Sequence, residues 1–400
     1  MTNTEQSPQI TLSRGLMFLL ALACGAVVAN LYYAQTLIAL ISSALHLNVK
    51  LSGLIVTLTQ IGYGMGLLFI APLSDLLENR RLIITLLGLT FLSLLGIIFS
   101  ANSIVFLLFC FLLGLTAVAA QVILPFVAHL TPSEKRGQVV GQVMSGLFLG
   151  IMLSRPIASF LSYIFAWQAV FIFSAIFMIL LIFLLKHFFP QRKPEHNLSY
   201  GQLIASFPKV FMSYPILQRR AIYHGLLFLV LNLFWTSIAT LLMGNFFHYT
   251  QEKVALFALV GAMGALTAPI AGRLADKGLT RAATGIAIVL VCTACVISQW
   301  HHGHSIIALV IAAIVLDIGA ACNLVLGQRT IYALAPEIRG RLNALYVALF
   351  FMGGAIGSGL SGYLYKLGGW SAIANTGLAI SVLTLLYFLT EYRQAKNTQI

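Results

Sequence analysis

Asp317, in the run IAAIVLDIGAACN, and Arg155, in GLFLGIMLSRPIASFL, are ionisable residues set deep inside apolar stretches. Burying a charge in hydrocarbon costs several kcal/mol, and residues that bear this cost are functional by default. Asp317 falls about 12 residues into its stretch, which at 1.5 Å per helical residue is roughly 18 Å from its outer end, close to the middle of a bilayer. A carboxyl so placed can take up and release a proton or recognise a cation; its competing role is a structural hydrogen bond to a neighbouring helix. Arg155 lies nearer one end of its stretch. There it can bind an anionic substrate, balance Asp317 across a cavity, or extend its guanidinium to the interface.

A second polar group is NLYYAQ, residues 30–35, inside the first apolar stretch. Asn30 and Tyr33 are three apart, as are Tyr32 and Gln35, so two polar pairs occupy adjacent faces of one helix. Such faces are expected to line a cavity or to bond other helices, and not mainly to meet lipid. His224 shares a helical face with Phe228, Leu231 and Trp235, at spacings of 4, 7 and 11. That is a lining pattern, although a lone histidine near a helix start is more often structural. Asn232 and Asn323 join these as cavity candidates.

The elements that must position these groups follow from composition. The chain has 400 residues, 60% hydrophobic and 8% charged, whereas soluble domains carry about 25% charged residues. Twelve apolar runs recur, near 16–41, 52–73, 82–100, 104–129, 139–162, 167–188, 221–246, 254–274, 282–300, 305–328, 342–365 and 370–390. A run of about 20 residues crosses a bilayer as a helix. The runs lack the alternating polarity of barrel strands, and backbone groups in hydrocarbon need partners within the segment, so all twelve are predicted helices.

The net charge of +13 resolves into topology. Of the 23 Lys and Arg, nineteen fall on the first and every second loop side, three (Lys50, Lys253, Lys366) on the other, and Arg155 within a run. This is the positive-inside pattern, with both termini cytoplasmic, and it argues against nucleic acid as a partner. Cys24, Cys110, Cys292, Cys295 and Cys322 all lie within spans and read as small apolar residues. The HHGH stretch (301–304) lacks a carboxylate or cysteine partner and reads as a solvated turn, so no metal and no cofactor are expected. LALAC before Gly25 resembles a lipoprotein cleavage site, but eleven further spans predict that the first helix is retained. There is no GxxxxGK[ST] for ATP, and no His, Asp or Glu cluster that a membrane enzyme would need.

Two loop pairs reveal a duplication. PLSDLLENRR (72–81) follows span 2 and GRLADKGLTR (272–281) follows span 8, with Asp75 and Asp276 offset by 201. TPSEKRGQVVG (131–141) after span 4 resembles APEIRGRLNA (335–344) after span 10; Arg136–Gly137 and Arg339–Gly340 are offset by 203, as are Trp167 and Trp370. The expected organisation is a six-helix bundle over 1–189, a cytoplasmic linker over 190–220 with a short amphipathic helix near 199–212, and a second six-helix bundle over 221–400. Parallel halves joined this way are a transporter plan, with substrate bound near the midplane between them.

These features resemble the major facilitator superfamily, and within it bacterial drug:proton antiporter-like exporters. The duplicated loop is similar to the family signature G-x-L-[A]-D-[RK]-x-G-R-[RK]: Asp75, Arg80 and Arg81 match in the first copy, where Pro72 and Asn79 replace the glycines. Gly272, Leu274, Asp276 and Gly278 match in the second, which keeps only Arg281 near its close. NLYYAQTL, Arg155–Pro156 and GRLNALYVALFFMGGAIGS (340–358) resemble the exporter-like branch, while span 4 lacks the arginine of many antiporters.

The resemblance implies an all-α membrane protein of twelve transmembrane helices in two pseudo-symmetric six-helix bundles. Spans 1, 4, 7 and 10 would line the central cavity, placing Asn30, Tyr32, Tyr33 and Gln35 in its wall. Asp75 would meet the start of span 11 near Arg339, and Asp276 the start of span 5 near Arg136, as gating latches at helix N-termini. Gly62–Gly66 and Gly353–Gly357 have the GxxxG spacing of close helix approach, on spans 2 and 11, which the family packs together.

The expected function is secondary transport of a small organic molecule across the bacterial inner membrane. Proton-coupled export of a drug, metabolite or siderophore is the main reading, proton-coupled uptake of a metabolite or chelate the alternative, and a receptor or scaffold the non-transport rival. Expected partners are the substrate, protons and the lipid bilayer, with the chain acting as a monomer.

Overall fold

Local signals set the helix starts. Glu78 caps the third span, its carboxylate accepting from the backbone N–H of Arg80 and Arg81 at 2.8 and 3.0 Å. Asn102 and Ser305 cap the fourth and tenth spans in the same way, satisfying donors that have no partner within a first helical turn. The computed structural model describes residues 13–131, 133–191, 199–261 and 267–397, and among these every regular element is an α-helix or a 3-10 turn.

Nine helices among the described residues are long and apolar enough to cross a membrane. One of them, Arg339–Glu391, is long enough for two spans and is broken at Gly368 and Gly369. Gly369 takes φ 58 and ψ −146, a conformation open essentially to glycine alone. Span 1 comprises Arg14–Ala29, a 3-10 turn at Tyr33–Thr36 and Ile38–Ala44. Span 8 comprises Gln251–Ala258 and Ala268–Asp276, on either side of residues 262–266, which lie outside the described set. The architecture is the expected all-α fold of twelve spans in two bundles.

Buried apolar residues form two main clusters. One centres on spans 1 to 6 and reaches Phe228, Phe350 and Phe351 of spans 7 and 11; the other lies within spans 7 to 12 around Trp235 and Trp370. Large residues such as Phe18, Phe99, Ile104, Phe183 and Leu383 are exposed on the outside, as suits a surface solvated by lipid. Of the linker, residues 192–198 lie outside the described set, and the amphipathic helix expected near 199–212 forms over Tyr200–Ser213 behind a Ser199–Gln202 capping box. It buries Leu203, Phe207 and Val210. Tyr200 donates to the Phe69 carbonyl at 2.7 Å, and Arg341 to Ser206 at 3.2 Å, so this helix touches both halves.

Close helix contact uses glycine, though not between the spans expected. A Cβ on Gly62 or Gly66 would strike the backbone of Phe111 or Leu115 in span 4, and one on Gly353 or Gly357 the backbone of Gly225 or Leu229 in span 7. Each GxxxG ridge therefore packs within its own half. Contact between spans 2 and 11 instead uses Gly53 against Ser358 and Gly362 against Val49. Replacing Gly353 with Ala is expected to lower the melting temperature of detergent-purified protein, because the new methyl meets backbone that cannot rotate away, and overpacking costs about 1–3 kcal/mol. Gly88→Ala, where a Cβ meets open space, is the control and should melt no lower than the parent.

Candidate functional site

The polar stretch NLYYAQ sits where span 1 stops being an α-helix. The α-helix ends at Ala29, Asn30 is its C-cap, and Tyr33–Thr36 continue as a 3-10 turn. Asn30 Nδ2 donates to the carbonyls of Ala26 and Val27 at 2.9 and 3.2 Å, adding to the backbone bonds that close the helix end. Its Oδ1 accepts from Ser174 of span 6 at 2.7 Å. Tyr33 packs edge-on against Phe171, also of span 6. These two residues thus face span 6 within their own half, whereas Tyr32 and Gln35 turn toward the centre. Three-residue spacing thus keeps each pair on one face, as side chains at i and i+3 do in a 3-10 turn, and the two faces meet different neighbours.

Gln35 is a hub. Its Oε1 accepts from Arg155 Nε at 2.8 Å, and its Nε2 donates to Asn232 Oδ1 of span 7 at 2.8 Å. The same Oδ1 accepts from Gln60 of span 2 at 2.5 Å, while Asn232 Nδ2 donates to the Phe228 carbonyl at 2.8 Å. Gln251, at the start of span 8, donates to the Thr36 carbonyl at 2.9 Å, and Thr57 to the Ala355 carbonyl at 2.9 Å. These bonds join the two halves on the side of the midplane away from the basic loops. In apolar surroundings they replace interactions that lipid cannot supply.

Arg155 is buried at 6% exposure and does not extend to an interface. Its guanidinium carbon stands 4.5 Å from the centre of the Trp235 ring and 5.3 Å from that of Tyr32, a cation–π sandwich. Trp235 Nε1 in turn donates to Asp317 Oδ1 at 3.0 Å. The two intramembrane charges are therefore linked through one indole. Asp317 is 8% exposed, and its Oδ2 has no hydrogen-bond partner among the described residues.

Beside this linkage lies a cavity of about 120 Å³ between spans 1, 5, 7, 8 and 10, lined by Tyr32, Arg155, His224, Phe228, Gly261 and Asp317 together with apolar side chains. His224 is buried, pairs through Nδ1 with Asn323 Nδ2 at 3.1 Å, stacks near Phe228 and Tyr346, and has no partner for Nε2 among the described residues. Asn232 and Trp235 stand behind this wall: one locks the halves and the other joins the charges.

A central cavity between two six-helix halves is a plan that can be compared with known proteins. The family model of the Major Facilitator Superfamily matches residues 17–298 and 221–399. The chain belongs to the major facilitator superfamily. The transporter YgaY of Escherichia coli O157:H7 is 38% identical over 95% of this facilitator and 96% of its own length. A transporter of Streptomyces coelicolor is 27% identical over 94% of this chain and 88% of its own. Among solved structures, the nucleoside transporter NupG superposes with a TM-score of 0.75 at 14% identity, over 94% of this chain and 99% of NupG. The human organic anion transporter MFSD10 (TETRAN) gives 0.69 at 17% identity, over 96% and 100%. At those identities the structures speak for the fold.

In this facilitator the loop residues make the following contacts. Asp75 ends the 3-10 turn Ala71–Asp75 after span 2. Arg80 donates to the Phe189 carbonyl at 3.2 Å, placing a cation at the C-terminus of span 6, where the helix dipole favours it. The backbone N–H of Arg81 is held by Glu78. Asp276 pairs with Arg329 of span 10 at 2.7 Å, because its loop lies beside the last turn of span 10, where Arg329 also meets the Gly272 carbonyl. Arg281 stands 3.8 Å from Glu391, and Arg339 donates to the Tyr332 carbonyl at 2.7 Å. The side chain of Arg136 lies outside the described residues.

Gln60, Gln251 and Gly261 belong to the central arrangement without having stood out in the sequence. Gln60 carried a usable signal, a lone amide within an apolar run. Gly261 carried none: only the fold reveals that a Cβ there would stand 2.8 Å from the Trp235 ring and 2.9 Å from Asp317 Oδ2.

Proposed function

We propose that this facilitator exports a small organic molecule across the bacterial inner membrane in exchange for protons, by alternating access. The observation that carries the reading is the buried Arg155–Trp235–Asp317 linkage at the wall of a cavity between the halves, with Asp317 Oδ2 unpartnered. An acid held there costs free energy unless its charge is used. In this reading Asp317 accepts a proton from one side and releases it to the other as the halves rock. Residues 1–189 and 221–400 are the moving bodies, joined by the linker 190–220, and the basic loops and both termini lie in the cytoplasm.

The bonds among Gln35, Asn232 and Gln60, with Gln251 on Thr36, act in this scheme as the seal on the far side. The loops bearing Asp75, Arg80, Arg81, Asp276, Arg281, Arg136 and Arg339 act as the opposing cytoplasmic latches. Kinship with the drug:proton antiporter-like branch is supported by NLYYAQTL and by Arg155–Pro156. The chain works as a monomer, without a metal or cofactor.

Comparing metabolites in medium and cells, with and without the protein, supplies the substrate. Everted vesicles then test the direction. Export by proton exchange is expected to give accumulation that requires an acid interior and collapses with a protonophore. Accumulation in right-side-out vesicles driven by an acid exterior would instead establish uptake, and no transport in either preparation would remove the transporter reading.

A further inference from the structure

The charges at the cavity wall specify a ligand. Among the described residues Nε of Arg155 donates to Gln35, the two terminal nitrogens of its fork have no hydrogen-bond partner, and Arg155 lines the cavity. Asp317 lines it too, with Oδ1 held by Trp235 and Oδ2 unused. Rotation of the Asp317 carboxyl about its broad terminal torsion turns one oxygen to the cavity while it shifts the other against Trp235. Glycine at 261 leaves room beside that buried oxygen, since a Cβ there would lie 2.9 Å from it. The remainder of the wall includes Ile151, Met152, Leu324 and Val325.

We propose that this cavity binds a small zwitterion, an ammonium and a carboxylate a few bonds apart on a short aliphatic body, as in an apolar α-amino acid. The inference rests on the same cavity being the transport site. A ligand bearing only a negative charge would pair Arg155 but face Asp317 and leave a buried oxygen unsatisfied; a simple amine would do the reverse. A buried charge left without its counterpart is strongly unfavourable, so the pair selects against both by repulsion as well as by missing bonds. The zwitterion gives its carboxylate to the planar fork, a geometry that guanidinium matches with two parallel hydrogen bonds. Its ammonium goes to Asp317 Oδ2. Size agrees: a cavity of about 150 Å³ takes benzene, so about 120 Å³ has room for a short aliphatic body.

The test is equilibrium binding to the full-length protein purified in detergent, at constant pH and without a gradient, by calorimetry and thermal shift. The probes are L-alanine, L-valine and L-leucine, with 4-methylpentanoate as the carboxylate alone and isoamylamine as the amine alone. At least one amino acid is expected to bind about tenfold or more tightly than either single-charge analogue, the effect of losing one charged hydrogen bond. Arg155→Gln and Asp317→Asn should each erase that preference. An analogue binding within about threefold of the best amino acid, or no saturable binding of any amino acid at millimolar concentration, overturns the proposal; wild-type protein alone decides this if a variant fails to fold. Binding intact with no proton-driven export would remove only the exporter reading. Proton-driven export of another compound without amino-acid binding would remove only the zwitterion.

Discussion

Asp317→Asn is expected to reduce proton-driven transport to less than about a tenth of the parent, a barrier change of roughly 1.4 kcal/mol or more, with unchanged protein in the membrane. Asparagine is nearly isosteric and keeps an Oδ1 acceptor for Trp235 Nε1, which stands 3.0 Å from the aspartate. The fold therefore has little reason to fail. What disappears is the ability to alternate between charged and neutral forms at the cavity wall, together with the unpartnered Oδ2. Initial rates in everted vesicles under an imposed pH gradient, normalised to protein by immunoblot, measure the effect. Full gradient-driven transport by the variant would remove Asp317 from proton coupling.

Arg155→Met is expected to lower both transport and stability. Methionine retains the apolar stem but loses the guanidinium that holds Gln35 Oε1 at 2.8 Å and lies against the Trp235 and Tyr32 rings. A hydrogen bond from a charged group contributes about 1.5–3 kcal/mol and a desolvated cation–π contact about 2, while intramembrane bonds measure lower. A net loss on the order of 2 kcal/mol follows, read as a lower melting temperature in detergent. Transport should fall below about a tenth of the parent. Arg155→Lys restores the charge but not the planar fork, so it should recover part of the stability and little transport. Adding Asp317→Asn to Arg155→Met should raise the melting temperature again, because no buried carboxylate then lacks its counter-charge. A methionine variant that melts with the parent would show that the guanidinium does not tie the halves together.

The helices were legible because hydrocarbon leaves the backbone no alternative, and length and apolarity alone then locate them. The two charges were legible for a related reason: a charge in an apolar run is rare enough to need an explanation. Spacing was a poorer guide. Asn30 and Tyr33 share a face as their spacing predicts, but that face meets span 6 and not the cavity, because spacing says which residues lie together and not which helix will cover them. The GxxxG ridges announced close helix contact but not with which neighbour, because any helix backbone can fit against glycine. The Asp276 loop motif likewise gave no sign of the ion pair that Asp276 makes with Arg329 in its own half.

Sequence by itself determined a membrane protein of two duplicated halves, its basic loop asymmetry, and the presence of one acid and one base in the apolar interior. Those properties follow from composition and periodicity, which each segment carries locally. Tertiary structure decided that the acid and the base share Trp235, that Gln35 joins Arg155 to Asn232, and that Gln60 completes the junction from span 2. The residues involved come from five different spans, as far apart in sequence as Gln35 and Asp317, and no local pattern encodes which of their faces will meet.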